Sequence, residues 1–179
     1  MIICAGESEQ FDFASPIGIG LIDAAINLTK LCMENLPESI LFVGTAGSYG
    51  DIEPMTIVQS SAAYNMEQAF LQDSAYSPIE NFVSQGKSVS HETILNSSNY
   101  ICTNEEIAKL YLEKNIQLEN MEFYAVLKVA KEFNVPARGI FIVTNYCNDN
   151  AHNDFKKNHK MAMAKLTEYI SKLGIKIFE

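Results

Sequence analysis

The chain has 179 residues, of which 47% are hydrophobic and 20% are charged, and its formal net charge is −9. This composition predicts one soluble globular domain over residues 1–179, which can bury a core without disulfides or a structural metal. The negative charge argues against affinity for nucleic acids or anionic membranes, since both bind to cationic surfaces.

The N-terminus and the cysteines predict a cytoplasmic protein. The stretch "MIICAGESEQ" lacks the basic segment and the long apolar segment of a signal peptide. No apolar run approaches the roughly 20 residues that span a bilayer. The cysteines form no CxxC pair, which disfavours a disulfide framework or zinc site and favours reduced, mostly buried thiols. They are Cys4, Cys32, Cys102 and Cys147.

Two apolar strands and a helix are predicted in the first third of the chain. "MIICA" and "SILFVGT" are uninterrupted apolar runs, typical of strands in a parallel sheet that is covered on both faces. Between them, "IGLIDAAINLTKLCMENL" has apolar residues at helical spacing and stops before Pro37. Its predicted apolar face comprises Leu21, Ile22, Ala25, Ile26 and Cys32. A glycine-rich loop from Gly44 to Ser48 follows the second strand.

The remainder alternates between helices and strands, apart from residues 66–96, which we expect to form a long loop with short structured pieces. The other elements are a strand at about 55–64, a strand in "SNYIC", a helix from Thr103 to about Lys114, a helix over 120–133, a strand in "RGIFIVTNY" and a long helix ending at Gly174. This alternation predicts an α/β fold with three layers, α/β/α, around a mostly parallel or mixed sheet. Ligands of such sheets bind outside the carboxyl ends of the strands.

Two predicted strands end in polar residues. The backbone N–H groups of the Gly44–Ser48 loop suit an anion or a sugar, although a simple turn also needs glycines. The apolar run in "GIFIVTN" leads into Thr144 and Asn145. An amide offers donors and an acceptor to the edge of a purine, but an asparagine also commonly ends a strand.

The predicted helix over 120–133 carries a carboxylate, Glu122, on its apolar side. With Asn120 as the N-cap, Glu122 lies in the first turn, where the helix dipole favours an exposed acid. Burial of a carboxylate is costly unless it accepts hydrogen bonds. The alternative interpretation is therefore a carboxylate that faces a cleft and accepts hydrogen bonds from a vicinal diol.

The order of several motifs resembles the purine nucleoside phosphorylase and methylthioadenosine nucleosidase superfamily. They are "GIGLIDAAINLTKL", "VGTAGSYGDIEPMTIV", "SSNYICT" and "NMEFYAVLKVAKEFNVPARGIFIVTN". The most specific part is Met-Glu, followed at this distance by "FNVP" and the last strand. The resemblance covers most of the chain from about Pro16 onward and implies a nucleoside phosphorylase-like fold, with active sites near subunit interfaces.

The resemblance assigns roles to three groups of residues. Met121 and Glu122 would bind the ribose, Met121 by packing and Glu122 through the 2′- and 3′-hydroxyls. The loop residues Thr45, Ala46 and Gly47 would contact sugar, base or phosphate. The purine would be lined by Tyr100, Ile101 and Cys102.

The Thr144–Asn145 pair departs from the nucleosidases, which have an acidic Ser-Asp pair there. An amide cannot serve as a general acid. Trimeric phosphorylases that prefer 6-oxopurines have Thr-Asn, whose amide stabilises charge on the departing base. By resemblance, Asn145 is then catalytic, together with Glu122, and favours a 6-oxopurine. A histidine at the ribose 5′ end would be His159 or His152.

The phosphate site also departs from the family pattern, because Arg138 is the only arginine and precedes the last strand. Phosphorylases hold phosphate with arginines, which bind it in bidentate fashion. Phosphate could instead bind at the Gly44–Ser48 loop, Lys87 or His91. Otherwise the acceptor is water, oriented by an acid such as Glu7 or Glu9. The chain is also short, so strands with acceptor-site residues could be missing.

We therefore expect an enzyme of purine salvage that cleaves the N-glycosidic bond of a purine nucleoside. Phosphate is the default acceptor by resemblance, as a co-substrate, with no cofactor and no metal. The alternatives are a hydrolytic nucleosidase and a weakly active relative that only binds purine nucleosides. The resemblance also implies a homo-oligomer, either a dimer or a hexamer.

Overall fold

A computed structural model describes residues 1–85 and 93–173. The described helices are α1 (Gly20–Glu34), α2 (Gln68–Leu71), α3 (Glu105–Glu113), α4 (Phe123–Glu132) and α5 (Ala151–Lys172). The described strands are β1 (Ile2–Cys4), β2 (Ser15–Pro16), β3 (Ile40–Ser48), β4 (Ile57–Ser60), β5 (Ala62–Tyr64), β6 (Phe82–Ser84), β7 (Leu95–Ser97), β8 (Leu118–Asn120) and β9 (Ala137–Tyr146). Within these residues, no helix is long and apolar enough to cross a membrane.

One mixed sheet contains all nine of these strands, in the order β2-β1-β3-β8-β7-β5-β6, with β9 between β3 and β4. β3 is fully buried and runs parallel to β1 and β9, as expected for an apolar run in the middle of a sheet. Beyond the end of β1, Gly47 and Ser48 of β3 pair with the antiparallel strand β8. The carboxyl ends of β3 and β9 therefore meet β8 at one edge of the sheet.

Helices cover both faces of the sheet, which confirms the predicted three-layer α/β/α fold. α1 and α4 pack against each other and against one face, in a core that includes Phe42, Phe123 and Phe141. α5 packs against the other face through Ala162, Leu166 and Ile170. The four cysteines are buried and free, as predicted.

Several predicted elements have different bounds. The segment 55–64 forms two strands, because β4 pairs with β9 while β5 pairs with β6 and β7. In "SNYIC" the structure has a loop, since β7 ends at Ser97. The glycine-rich segment 44–48 is part of β3 rather than a loop. The predicted end of the last helix at Gly174 lies outside the described residues.

The buried face of helix α1 coincides only in part with the predicted apolar face. Its fully buried side chains include Ala24, Leu28 and Cys32, which lie against α4 and the sheet. Of the predicted apolar residues, Cys32 is buried and Leu21 and Ala25 pack partly against the core, whereas Ile22 and Ile26 are 67% and 48% exposed. The error arises because this helix is apolar on two sides, and periodicity alone does not say which side meets the sheet.

Candidate active site

A cavity of about 250 Å³ lies at the carboxyl ends of β1, β3 and β9 and beside the junction between β8 and α4. This is the edge at which ligands of α/β sheets bind. Most of the predicted site residues line this one cavity. They are Glu9, Thr45, Ala46, Gly47, Tyr100, Ile101, Met121, Glu122, Thr144 and Asn145.

Glu122 is buried in the cavity wall, with 6% of its surface exposed. It lies at the N-cap position of α4, which begins at Phe123, so the predicted helix start at Asn120 is wrong. Asn120 ends β8 instead, and its side-chain oxygen accepts a hydrogen bond from the Phe123 N–H at 3.3 Å. This bond satisfies one free donor of the first helical turn, the function expected of a capping asparagine.

Three donors hold the Glu122 carboxylate. Oε1 accepts from the Gly20 N–H at 2.9 Å, while Oε2 accepts from Asn120 Nδ2 and the Met121 N–H, both at 3.2 Å. Gly20 has a φ of +84°, and a Cβ there would lie 2.9 Å from Asn99 Oδ1, so a glycine suits this close approach. Burial raises the pKa of Glu122 to about 7, despite the Gly20 hydrogen bond.

Glu9 approaches the cavity from the loop after β1 and is bound to the end of β3. Its carboxylate accepts from the Thr45 N–H at 2.8 Å and from the Thr45 hydroxyl. The negative charge of Glu9 contributes to the raised pKa of Glu122, although burial contributes more. Glu9 and Glu122 are therefore neighbours within the cavity. The other predicted acid, Glu7, is exposed and does not line it.

Thr144 and Asn145 occupy a β-bulge near the end of β9. Ala46 pairs with Val143 but Gly47 pairs with Asn145, so Thr144 is the extra residue. Asn145 Oδ1 accepts from the Thr144 hydroxyl at 2.8 Å, and Asn145 Nδ2 donates to the Tyr146 carbonyl at 3.1 Å. One N–H and one acceptor site of the Asn145 amide remain for a ligand.

Glu119 of β8 is a second buried carboxylate in the cavity, which the sequence analysis missed. The Cys102 N–H donates to its two carboxylate oxygens, at 3.0 and 3.3 Å. Burial raises the pKa of Glu119 to about 7. The available signal was an acid directly after the apolar Leu118 in "IQLENMEF", but a three-residue strand leaves too little periodicity to identify.

Two further predicted residues do not line the cavity. The Cys102 side chain is buried in a separate cluster that includes Tyr49 and Tyr111, and only its backbone reaches the site, through Glu119. His159 does not line the cavity. Its Nε2 atom is buried and has no hydrogen-bond partner, and its ring packs on Phe155 with 4.9 Å between the ring centroids. On the same helix, the exposed His152 lines the cavity instead.

The cationic candidates for a phosphate site are not brought to the cavity. Arg138 is exposed at the start of β9, the end of the strand opposite to Asn145. Lys87 and His91 lie outside the described residues. Among the described residues, the acidic lining consists of Glu9, Glu119 and Glu122, and the other titratable side chains there are His152 and Tyr100. The same part of the chain contains no cluster of three or more side chains able to hold a metal ion.

The fold is similar to several solved enzymes. A 5′-methylthioadenosine/S-adenosylhomocysteine nucleosidase from Helicobacter pylori matches with a TM-score of 0.79 at 13% identity, over 96% of this chain and 95% of that chain. Futalosine hydrolase of Helicobacter pylori matches with a TM-score of 0.79 at 14% identity, over 95% of this chain and 94% of that chain. A 5′-methylthioadenosine/S-adenosylhomocysteine nucleosidase from S. pneumoniae matches with a TM-score of 0.75 at 14% identity, over 94% and 95%.

At these identities the solved structures establish the fold alone. A search among curated proteins gave no match. The family model described as the phosphorylase superfamily matches residues 3–173, which is nearly the whole chain. The resemblance of the sequence motifs is thereby confirmed, and the chain belongs to the phosphorylase superfamily.

Proposed function

We propose that this protein is a hydrolytic nucleosidase, which cleaves the N-glycosidic bond of a purine nucleoside with water. The observation that carries the proposal is the charge of the cavity, whose described lining has three carboxylates and neither lysine nor arginine. The described lining therefore offers a phosphate dianion none of the cationic hydrogen-bond donors that usually hold it, whereas water and a neutral nucleoside need none. The expectation of phosphate as acceptor is therefore replaced by its hydrolytic alternative.

The solved structures support the same choice. The similar structures described above are nucleosidases and a futalosine hydrolase, which are named for hydrolytic reactions. The expectation of a 6-oxopurine rests on Asn145 alone and gains no support from these relatives. We therefore propose purine nucleosides as the substrate class. Roles in purine salvage and in the cytoplasm stay predictions.

Glu9 is proposed as the general base that activates the water. Two hydrogen bonds from Thr45 fix its carboxylate at the edge of the cavity beside Glu122. A carboxylate that is held in place and faces the sugar carbon can take a proton from the attacking water. The transition state would resemble an oxocarbenium ion, which nearby carboxylates stabilise electrostatically.

Glu122 is proposed to bind the ribose, together with Met121. Its Oε2 already accepts two hydrogen bonds from the protein, whereas Oε1 accepts one. A carboxylate has about four acceptor sites, so Oε1 has room for one direct hydrogen bond from a sugar hydroxyl. This modifies the sequence-based expectation that both hydroxyls of the diol bind Glu122.

The base is proposed to lie between Asn145 and the loop residues Tyr100 and Ile101. The amide of Asn145 has one N–H and one acceptor site left. Tyr100 and Ile101 are 72% and 57% exposed although they line the cavity, so a flat base could cover part of their apolar surface.

Release of free base from inosine, guanosine, adenosine and 5′-methylthioadenosine tests the proposal, with and without phosphate. We expect release from at least one nucleoside at a rate that phosphate does not change. Release that requires phosphate would restore the phosphorylase prediction. Tight binding without release under either condition would support the alternative of a binding protein and overturn an enzymatic function.

A homo-oligomer is proposed from the second apolar side of α1. Ile22, Ile26 and Met33 share one side of the helix and are 67%, 48% and 75% exposed. Ile19, just before the helix, lines the cavity, so this side of α1 adjoins the site. We expect Ile22→Asp/Ile26→Asp to lower the oligomeric state measured by light scattering. A wild-type monomer at micromolar concentration would contradict the proposal.

A further inference from the structure

The proposed hydrolysis needs an acid at the base end of the cavity, and Asn145 cannot provide one. A purine that leaves as an anion retains the electron pair of the broken bond, so protonation of the base accelerates departure. An amide side chain donates hydrogen bonds but does not transfer protons. A proton from another lining residue would add to the hydrogen bond of the amide, and Glu119 has no role in the proposed function so far.

Glu119 and Asn145 lie on either side of the same residue of β3. Gly47 pairs with Glu119 of β8 in the antiparallel register and with Asn145 of β9 in the parallel register. Residues paired across neighbouring strands share a face of the sheet. The two side chains therefore belong to one row across three strands, with Gly47 in the middle.

The missing side chain of Gly47 opens the space between them. A Cβ at residue 47 would lie 3.2 Å from Glu119 Cγ and 3.3 Å from Asn145 Nδ2. Both side chains line the cavity, so a base that contacts the Asn145 amide would also be close to the Glu119 carboxyl. The Cys102 N–H keeps the Glu119 carboxyl in place through hydrogen bonds to its oxygens.

The surroundings of Glu119 favour a carboxyl that is protonated near neutral pH. The titratable side chains around it are Cys147, Tyr49, Cys102 and Tyr111, all buried and uncharged near neutral pH. Burial raises the pKa of Glu119 by more than the contacts from Cys147, the Cys102 N–H and Tyr49 lower it. Burial and the charge of Glu119 raise the pKa values of Cys147 and Tyr49. The pKa of Glu119 itself, about 7, allows it to donate a proton and regain it from solvent.

We propose that Glu119 is the catalytic acid that protonates the departing purine, an inference that rests on the proposed function. The bond between C1′ and the base nitrogen breaks, and its electron pair goes to the base. The proton of the Glu119 carboxyl moves to a ring nitrogen of the base. The water oxygen forms the new bond to C1′, and its proton goes to Glu9. Solvent then returns a proton to Glu119 and removes one from Glu9.

The test compares Glu119→Gln with Glu119→Asp and with the control Glu113→Gln, an exposed acid of α3 away from the cavity. Glutamine keeps the size and the acceptor for the Cys102 N–H but carries no transferable proton. We expect kcat to fall by about 100-fold or more in Glu119→Gln, with a smaller change in KM, and to be partly restored in Glu119→Asp. Glu113→Gln should match the wild type.

The pH profile separates acid catalysis from a structural role. Wild-type kcat should decline as pH rises above about 7, because the Glu119 carboxyl then loses its proton. The residual activity of Glu119→Gln should lack this decline, whereas Glu122→Gln, which removes the other carboxyl with a pKa of about 7, should keep it. A Glu119→Gln variant with wild-type kcat, or with the wild-type decline, overturns the assignment.

These results distinguish failure of this inference from failure of the proposed function. If the wild type releases base with water but the Glu119→Gln profile is unchanged, only the acid assignment is overturned. If the wild type releases no base from any nucleoside tested, the proposed hydrolysis is overturned, and the assignment of Glu119 falls with it.

Discussion

The two ends of the cavity each contain a buried carboxyl, but the protein binds them differently. At the ribose end, Glu122 accepts hydrogen bonds from three donors and is adjacent to the negative charge of Glu9. At the base end, the Cys102 N–H donates to both oxygens of Glu119, and the side chains of Cys147 and Tyr49 also lie against this carboxyl and lower its pKa. Burial raises both pKa values to about 7.

The comparison teaches that similar pKa values can serve different purposes. Several donors fix the orientation of Glu122, which suits an acceptor of sugar hydroxyls. The two oxygens of Glu119 share the single N–H of Cys102, so this carboxyl keeps the capacity to carry and release a proton. The number and placement of hydrogen bonds, rather than the pKa alone, therefore separate the two proposed roles.

Glu9→Gln should produce the largest loss, because it removes the proposed base at the ribose end. We expect kcat to fall by about 1000-fold with little change in KM, since general base catalysis contributes to the transition state. Steady-state kinetics on the best nucleoside measure both constants. The control is Glu7→Gln, a neighbouring exposed acid outside the cavity. Equal losses in the two variants would contradict the assignment of Glu9.

Glu122→Gln should lower kcat/KM by about 100-fold, which corresponds to loss of a hydrogen bond to a charged acceptor. The thermal stability should not fall correspondingly, because glutamine keeps the size of Glu122 and, above the carboxyl pKa of about 7, also removes the cost of a buried charge. A parallel series with 2′-deoxy and 3′-deoxy nucleosides sharpens the test. The wild type should discriminate against one of them, and the variant should lose that discrimination. An equally active variant would instead favour the other interpretation, in which Glu122 is an acid at the start of a helix that the helix dipole stabilises.

The stability of the folded protein should fall as pH rises from about 4.5 to 7. In this window the unfolded carboxyls ionise while Glu119 and Glu122 stay protonated in the folded state, because burial raises their pKa values. The folded state then binds more protons, so the free energy of unfolding decreases with pH. Each carboxyl should contribute a slope of up to about 1.4 kcal/mol per pH unit.

Denaturant unfolding of Glu119→Gln and of Glu122→Gln at several pH values measures these two slopes separately. Each variant should flatten the pH dependence relative to the wild type, while the exposed-acid control Glu113→Gln should not. If neither variant changes how the free energy of unfolding depends on pH, the two carboxyls are ionised in the folded protein. Raised pKa values then play no part in the comparison of the two ends of the cavity.

Asn145→Ala should have the smallest effect, about three- to tenfold in kcat/KM, which is typical of a neutral hydrogen bond. The decrease in kcat/KM of Asn145→Ala should exceed that of Asn148→Ala, a control at a residue just beyond the end of β9 and outside the cavity. A loss as large as that of Glu119→Gln would mean that the amide, rather than the carboxyl, does most to stabilise the departing base.

Much of the fold and part of the candidate site could be predicted from the sequence. Long apolar runs and the order of helices and strands predicted the three-layer architecture, and both β3 and β9 were found. Short elements could not be predicted well. β8 has only three residues, which is too short to give a recognisable strand pattern. The sequence therefore predicts a helix from Asn120, whereas the structure ends β8 there and begins α4 at Phe123. The adjacent strands β4 and β5 pair with different strands, β9 and β7, and this pairing depends on residues that are distant in the sequence.

The sequence by itself determined the superfamily, the polar strand ends and the identity of Glu122 as a candidate, because motifs and periodicity are local properties. Only the tertiary structure decided that Glu9 rather than Glu7, and His152 rather than His159, line the cavity. It also introduced Glu119, whose place beside Asn145 arises from the pairing of β8 and β9 on opposite sides of Gly47. The physical reason is that a site at strand ends is assembled from residues far apart in the chain, whose proximity only the sheet order sets.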